Sequence, residues 1–436
     1  MNRNTLPLFA STEYRTIKRF FIALCIFILT GCSTNQQKTD QPMNQSITAA
    51  EILGNPKYQA ISYGGYREIT RDTQPTIPEL KEDMKILSAM GIGILRTYNT
   101  HYKQADNLLQ AIHELREEDP SFEMYVMLGA WIDCKNAWTN KEPNHDAENE
   151  AANSAEIQRA VDLATQYPDI VKIIAVGNEA MVKWAASYYV QPKVILRWVN
   201  HLQNLKKEGT LNQNLWITSS DNFASWGGGD SLYHCQDLED LIKAVDFVSL
   251  HTYPMHDTHY HPVFWGSDPS EQDLGKEEKI KAAMLRAKQY AMDQYASSAK
   301  YIQGIDSTKS IHIGETGWAS YSRGHYGDEG SKACDEYKEG LYYHHMREWT
   351  NEEGIACFYF EAFNEKWKDA ANPGGSENHF GIFNIDGEAK YAVWDLVDQG
   401  VFEGLSRNGN AITKSFSGDK SALMNYVKVP PLKKLK

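Results

Sequence analysis

From residue 59 onward, short apolar or β-branched runs alternate with longer stretches of helical periodicity. That alternation restricts the chain to a parallel α/β fold. Eight runs stand out, at about 60–64, 93–98, 123–130, 171–177, 215–220, 247–252, 311–314 and 355–360. Eight strands with intervening helices predict a closed TIM (β/α)8 barrel, whose functional groups sit at the C-terminal ends of the strands. Between the first two strands, Ile77, Leu80, Met84 and Leu87 recur at helical spacing. Thr76 and Glu79 stand where a capping box would start that helix, and Gly91 follows its end. The stretches 133–151 and 254–276 lack periodicity and are rich in His, Asn, Asp, Pro and Trp, as cleft loops are.

The N-terminus stands outside this pattern. Arg15, Lys18 and Arg19 precede an apolar run at 20–29 that is too short to span a bilayer as a helix. Leu29-Thr30-Gly31-Cys32 follows, and it resembles the lipobox of bacterial lipoproteins. The expected organisation is a signal peptide at 1–31, a lipid-modified Cys32, a polar flexible tether at 32–52, the barrel at 53–400 and a C-terminal extension at 401–436 with a frayed end. The expected location is the outer membrane or cell surface of a Gram-negative bacterium, with the lipid as the only membrane contact. Cys134, Cys235, Cys334 and Cys357 allow three pairings, among which sequence does not choose, and free buried thiols fit equally well. Forty-four basic residues against 57 acidic ones leave a net charge of −13, which argues against nucleic acid as a partner. A monomer is expected.

Two strands end in the same way. Ile173-Ile174-Ala175-Val176-Gly177 runs into Asn178-Glu179, and Ile311-His312-Ile313-Gly314 runs into Glu315-Thr316-Gly317-Trp318. Strands four and seven of a barrel both deliver their ends to the central cleft, so two carboxylates face each other across it. Such a pair suits glycoside hydrolysis, in which one group protonates the leaving oxygen while the other attacks or stabilises the anomeric centre.

Val176-Gly177-Asn178-Glu179 and Glu315-Thr316-Gly317-Trp318-Ala319-Ser320 resemble the two active-site motifs of glycoside hydrolase family 17. Tyr63-Gly64, Arg96-Thr97-Tyr98, Phe363-Asn364-Glu365-Lys366-Trp367-Lys368 and His379-Phe380-Gly381-Ile382-Phe383 extend the likeness, which is nearest in kind to secreted bacterial laminarinase-like members. The resemblance implies a retaining, endo-acting β-1,3-glucanase that needs no cofactor and no metal. In it Glu179 would be the acid/base, Glu315 the nucleophile and Asn178 the partner of the substrate 2-hydroxyl. Glu365 and Lys368 would form a charged pair near the nucleophile. Tyr63, Arg96, Tyr98, Tyr253 and Trp318 complete the expected substrate-binding set, with Tyr253 bonding the nucleophile or the sugar. A β-1,3-glucanosyltransferase would use the same glutamates, and a non-catalytic glycan-binding lipoprotein is the remaining alternative.

Trp131, Trp138, Trp226, Trp265, Trp318 and Trp367 lie at or beyond strand ends, where indoles can stack on sugar faces. About half are expected to do so, Trp318 foremost. The run His251, His256, His259, His261 matches no zinc-ligand spacing, so no metal is expected there.

Overall fold

The computed structural model describes residues 47–433. The signal peptide, Cys32 and most of the tether lie outside the described residues, as do residues 434–436. Eight strands close into a barrel: β1 (Gln59–Ser62), β2 (Ile92–Arg96), β3 (Tyr125–Ala130), β4 (Val171–Asn178), β5 (Trp216–Asn222), β6 (Val248–His251), β7 (Ile311–Gly317) and β8 (Cys357–Phe360). Each pairs in parallel with its sequence neighbours, and β8 pairs with β1, so the (β/α)8 expectation holds.

A short helix, α1 (Ala49–Ile52), precedes the barrel. Outside it run α2 (Ile77–Ala89), α3 (Lys103–Glu118), α4 (Glu150–Gln166), α5 (Pro192–Lys207) and α6 (Gln236–Ala244). A seven-residue α7 (Pro254–Tyr260) leads to α8 (Lys276–Ile305), and α9 (Glu336–Glu352) completes the ring. The α2 helix begins as its sequence dictates: Thr76 N donates to Glu79 Oε2 at 2.8 Å, and Glu79 N donates back to Thr76 Oγ1 at 3.4 Å. Its Leu80, Met84 and Leu87 are wholly buried against the strands, each worth roughly 1.5–3 kcal/mol of apolar burial.

Period-two alternation along the strands divides the core. Ile61, Leu95 and Ile174 face the helix layer, whereas Ala60, Ile94, Met127, Ile173 and Phe358 form a separate cluster inside the barrel. Ala49 and Ile52 of α1 belong to that inner cluster. The end of the expected tether is therefore not a free linker. Thr48 and Glu51 cap a helical turn whose apolar side packs on the inner cluster.

One further expectation is corrected, and the open ones gain detail. The stretch 133–151 holds an antiparallel hairpin, Cys134–Lys135 with Asn144–Glu148. Residues 401–433 pack into the barrel unit, with Arg407 fully buried. The last described residues are pinned, because Ser267 N donates to Pro431 O at 2.9 Å and Lys433 N donates to Ser267 O at 2.8 Å. Cys134, Cys235, Cys334 and Cys357 are all free thiols.

Candidate active site

The end of β4 is re-aimed by its own backbone. Pairing with β5 shifts register between Ala175 and Asn178, Gly177 adopts φ +80°, and Glu179 follows at φ 45°. A left-handed non-glycine residue at a strand end is a strained conformation that the surroundings must enforce, and such strain gathers at functional sites. Here Glu179 N donates to Ser220 O at 3.0 Å and turns the side chain into the cleft.

Glu315 lies on β7, nearly buried. Its Oε1 accepts from Arg96 Nη1, and its Oε2 accepts from the Tyr253 hydroxyl at 2.7 Å. Burial alone would raise its pKa, but the Arg96 guanidinium, His251 and the Tyr253 bond outweigh it and hold the carboxyl down at about 2. These contacts favour the ionised form of Glu315 at neutral pH.

One imidazole links the two acids. His251, buried at the end of β6, places Nδ1 3.2 Å from Glu179 Oε1 and 3.6 Å from Glu315 Oε2. The facing oxygens can be no further apart than those two legs end to end. That upper limit admits the ~5–5.5 Å spacing of retaining glycosidases. His251 Nε2 lies 2.7 Å from Ser220 Oγ, which in turn meets Ser249 Oγ at 2.7 Å.

Several expected residues are repositioned by the structure. Arg96 lies behind the substrate surface: besides Glu315, it donates to Gly314 O at 3.2 Å and through Nη2 to Asn178 Oδ1 at 2.5 Å. The Asn178 amide oxygen is thereby held, and the residue lines the cleft. Tyr98 borders the cleft with its ring 4.7 Å from the Arg96 guanidinium. Tyr253 bonds Glu315, the first of its two expected partners. Tyr63 borders the cleft as well, but its hydroxyl donates to buried Asp83 at 2.9 Å, which makes it an anchor between β1 and α2.

Trp318 is no sugar platform. It is fully buried, its indole N–H donates to Ala333 O at 2.8 Å, and its ring packs between Trp265 and Tyr342. Trp226 and Trp265 are core in the same way, donating to Ser249 O and Ser331 O. Trp131, Trp138 and Trp367 do line the cleft, joined by Trp184, which the sequence did not single out.

Glu365 and Lys368 also line the cleft. Glu365 accepts from Tyr66 N at 2.9 Å and from Trp367 Nε1 at 3.0 Å, so it fixes that indole. Lys368 reaches Glu365 at 3.5 Å, but its closer partner is Glu361, one residue beyond β8. Burial pushes the Glu361 carboxyl up, against the pull of Lys368. Sequence reasoning missed Glu361 because the motif was read from Phe363 onward. It missed His251 by weighing it as a metal ligand, although His251 ends β6 much as Glu315 lies at the end of β7. Among the described residues no group of three or more His, Cys, Asp or Glu is arranged to hold a metal ion.

The glutamates, Asn178 and a cavity of about 1710 Å³ occupy the C-terminal face of the barrel. Fold and site together define the class of barrel glycosidases that work with two carboxylates. Residues 60–381 match the BtgE/BtgC glycoside hydrolase domain, and the chain belongs to that family. It is 65% identical to an endo-laminarinase from Formosa Hel1_33_131, with a TM-score of 0.88, covering 89% of this chain and 99% of that one. A glucan 1,3-beta-glucosidase of Arthroderma benhamiae is 34% identical over 280 residues, which is 61% of this chain and 70% of the relative. A probable glucan endo-1,3-beta-glucosidase of Aspergillus terreus is 23% identical over 361 residues, covering 80% of this chain. The matched region spans 45% of that last relative's length and 36% of the corresponding Aspergillus flavus protein.

Proposed function

We propose that the protein is a retaining, endo-acting β-1,3-glucan hydrolase. The observation that carries this reading is the single His251 nitrogen within reach of both carboxylates, one of which is held ionised by Arg96 and Tyr253. In the first step Glu315 attacks the anomeric carbon while Glu179 gives its proton to the leaving oxygen, forming a glycosyl ester on Glu315. In the second, Glu179 takes a proton from water, and that water displaces the ester and regenerates both groups. Asn178, oriented by Arg96, bonds the sugar 2-hydroxyl, a contact that strengthens as positive charge develops on the neighbouring carbon.

The β-1,3 linkage and endo action are supported by the 65% identity to an endo-laminarinase over nearly the whole of that chain. Endo action is also supported by the cleft volume, which exceeds the ~300–1,000 Å³ of ordinary small-molecule pockets. Mass spectrometry of products from laminarin and reduced laminari-oligosaccharides tests the proposal. Only shorter products, absent with Glu315→Ala, are expected. Products longer than the donor would instead assign a glucanosyltransferase. We further propose that export and lipid modification at Cys32 place the barrel at the cell surface. Radiolabelled palmitate should label the wild type and not Cys32→Ser, and equal labelling of both would refute the anchor.

A further inference from the structure

The hairpin inserted after β3 has a turn with two left-handed residues. Asn136 and Trp138 both sit in the left-handed region, at φ 67° and φ 60°, a conformation that bulky side chains rarely adopt. The strained Trp138 is also 63% exposed, so its indole gains little from burial. Strain combined with an exposed aromatic face points to a ligand.

The surroundings of Trp138 are built. Its ring stacks on Tyr188 with centroids 5.2 Å apart and an interplanar angle of 23°, and the Trp131 ring lies 5.1 Å from the same Tyr188 ring at 45°. Cys134 N donates to Tyr188 O at 3.0 Å and ties the hairpin to the loop that leaves Glu179. Val190 N donates to Ala180 O at 2.7 Å and closes that loop on itself. On the same loop Trp184 is 60% exposed. All four rings border the cavity that holds the two glutamates. They form an aromatic wall on the loops that follow β3 and β4.

The geometry points to a distal subsite on this wall that stacks the pyranose faces of glucosyl units several positions from the bond being cut. Flat indole and phenol faces match the apolar faces of β-linked glucose and would hold a neutral chain. The subsite rests on the β-1,3-glucan reading above and deepens it, because it makes catalysis depend on how far the chain reaches.

The test compares wild type, Trp138→Ala and Trp138→Tyr on laminari-oligosaccharides from trimer to octamer, with thermal melting to verify folding. In the wild type kcat/KM should climb with chain length. In Trp138→Ala the octamer-to-trimer ratio of kcat/KM should fall about tenfold, and Trp138→Tyr should restore most of it. A folded Trp138→Ala with the wild-type ratio, or with equal losses at every length, would overturn the subsite. A wild type that cleaves no β-1,3-oligosaccharide of any length would instead overturn the linkage assignment on which it rests.

Discussion

Glu315 shows how a buried carboxylate stays charged. Desolvation works against its ionised form, and the facing guanidinium of Arg96, the His251 imidazole and the Tyr253 hydroxyl reverse that balance. The sign follows directly. A carboxyl depressed below its ordinary 4.5 to about 2 stabilises the fold above pH 4.5, and that contribution is lost as pH falls toward 2. In the pH profile of kcat/KM, ionisation of Glu315 should not set a limb in the ordinary carboxylate range. Replacing Arg96 by Met removes the cation and leaves burial in command, so an acid limb should appear at higher pH than in the wild type; coincident limbs would contradict the role given to Arg96. His251→Phe retains bulk but strips partners from Glu179 and Ser220. It should cost about 1–3 kcal/mol in chemical denaturation and lower kcat more than it changes KM. At this scale sequence was a partial guide. The two glutamates and Asn178 were legible because each lies at a strand end. Trp318 was misplaced because its burial depends on Ala333, Trp265 and Tyr342, contacts that no local pattern announces.

The elements were legible because period-two strands and 3.6-period helices leave different marks. All eight barrel strands fall on the predicted runs, and the α2 cap forms at Thr76. The hairpin after β3 was read as irregular loop, since two-residue pairings of polar residues carry no alternation to detect. The finest element-level feature is the β4 terminus. Gly177→Ala would force a Cβ at φ +80° and within 2.9 Å of Ala180 Cβ, displacing the Asn178-Glu179 corner. It should cost about 1–3 kcal/mol and lower kcat by as much as ~10²-fold, since small misplacements of catalytic groups are expensive. Gly91→Ala supplies the contrast: φ is +84° but a Cβ there meets nothing within 4 Å. It should destabilise α2 by about 1 kcal/mol and leave kcat alone. Equal effects of the two on kcat would show that the corner does not position the acid.

Across the whole molecule, the segment after the barrel is tied back to its first layers by one buried ionic node. Arg407 donates to Asp83 through Nε at 2.8 Å and Nη2 at 3.1 Å, while Tyr63 and Arg67 bond the same carboxylate. Removing one member strands the rest without water, so Arg407→Met should lower the unfolding free energy by about 3 kcal/mol while the KM of the folded fraction is unchanged. No sequence pattern predicted a partner more than three hundred residues away, which is why 401–436 was read only as an extension. The central claim is the division of labour between Glu315 and Glu179, and trapping the intermediate tests it most directly. Glu179→Ala, reacted with an aryl laminari-oligosaccharide bearing a good leaving group, should form the glycosyl-enzyme and then stall without a base. Peptide mass spectrometry should find the added sugar mass on the peptide containing Glu315. A glycosylated peptide elsewhere, or turnover with no adduct and an inverted anomer, would contradict the account.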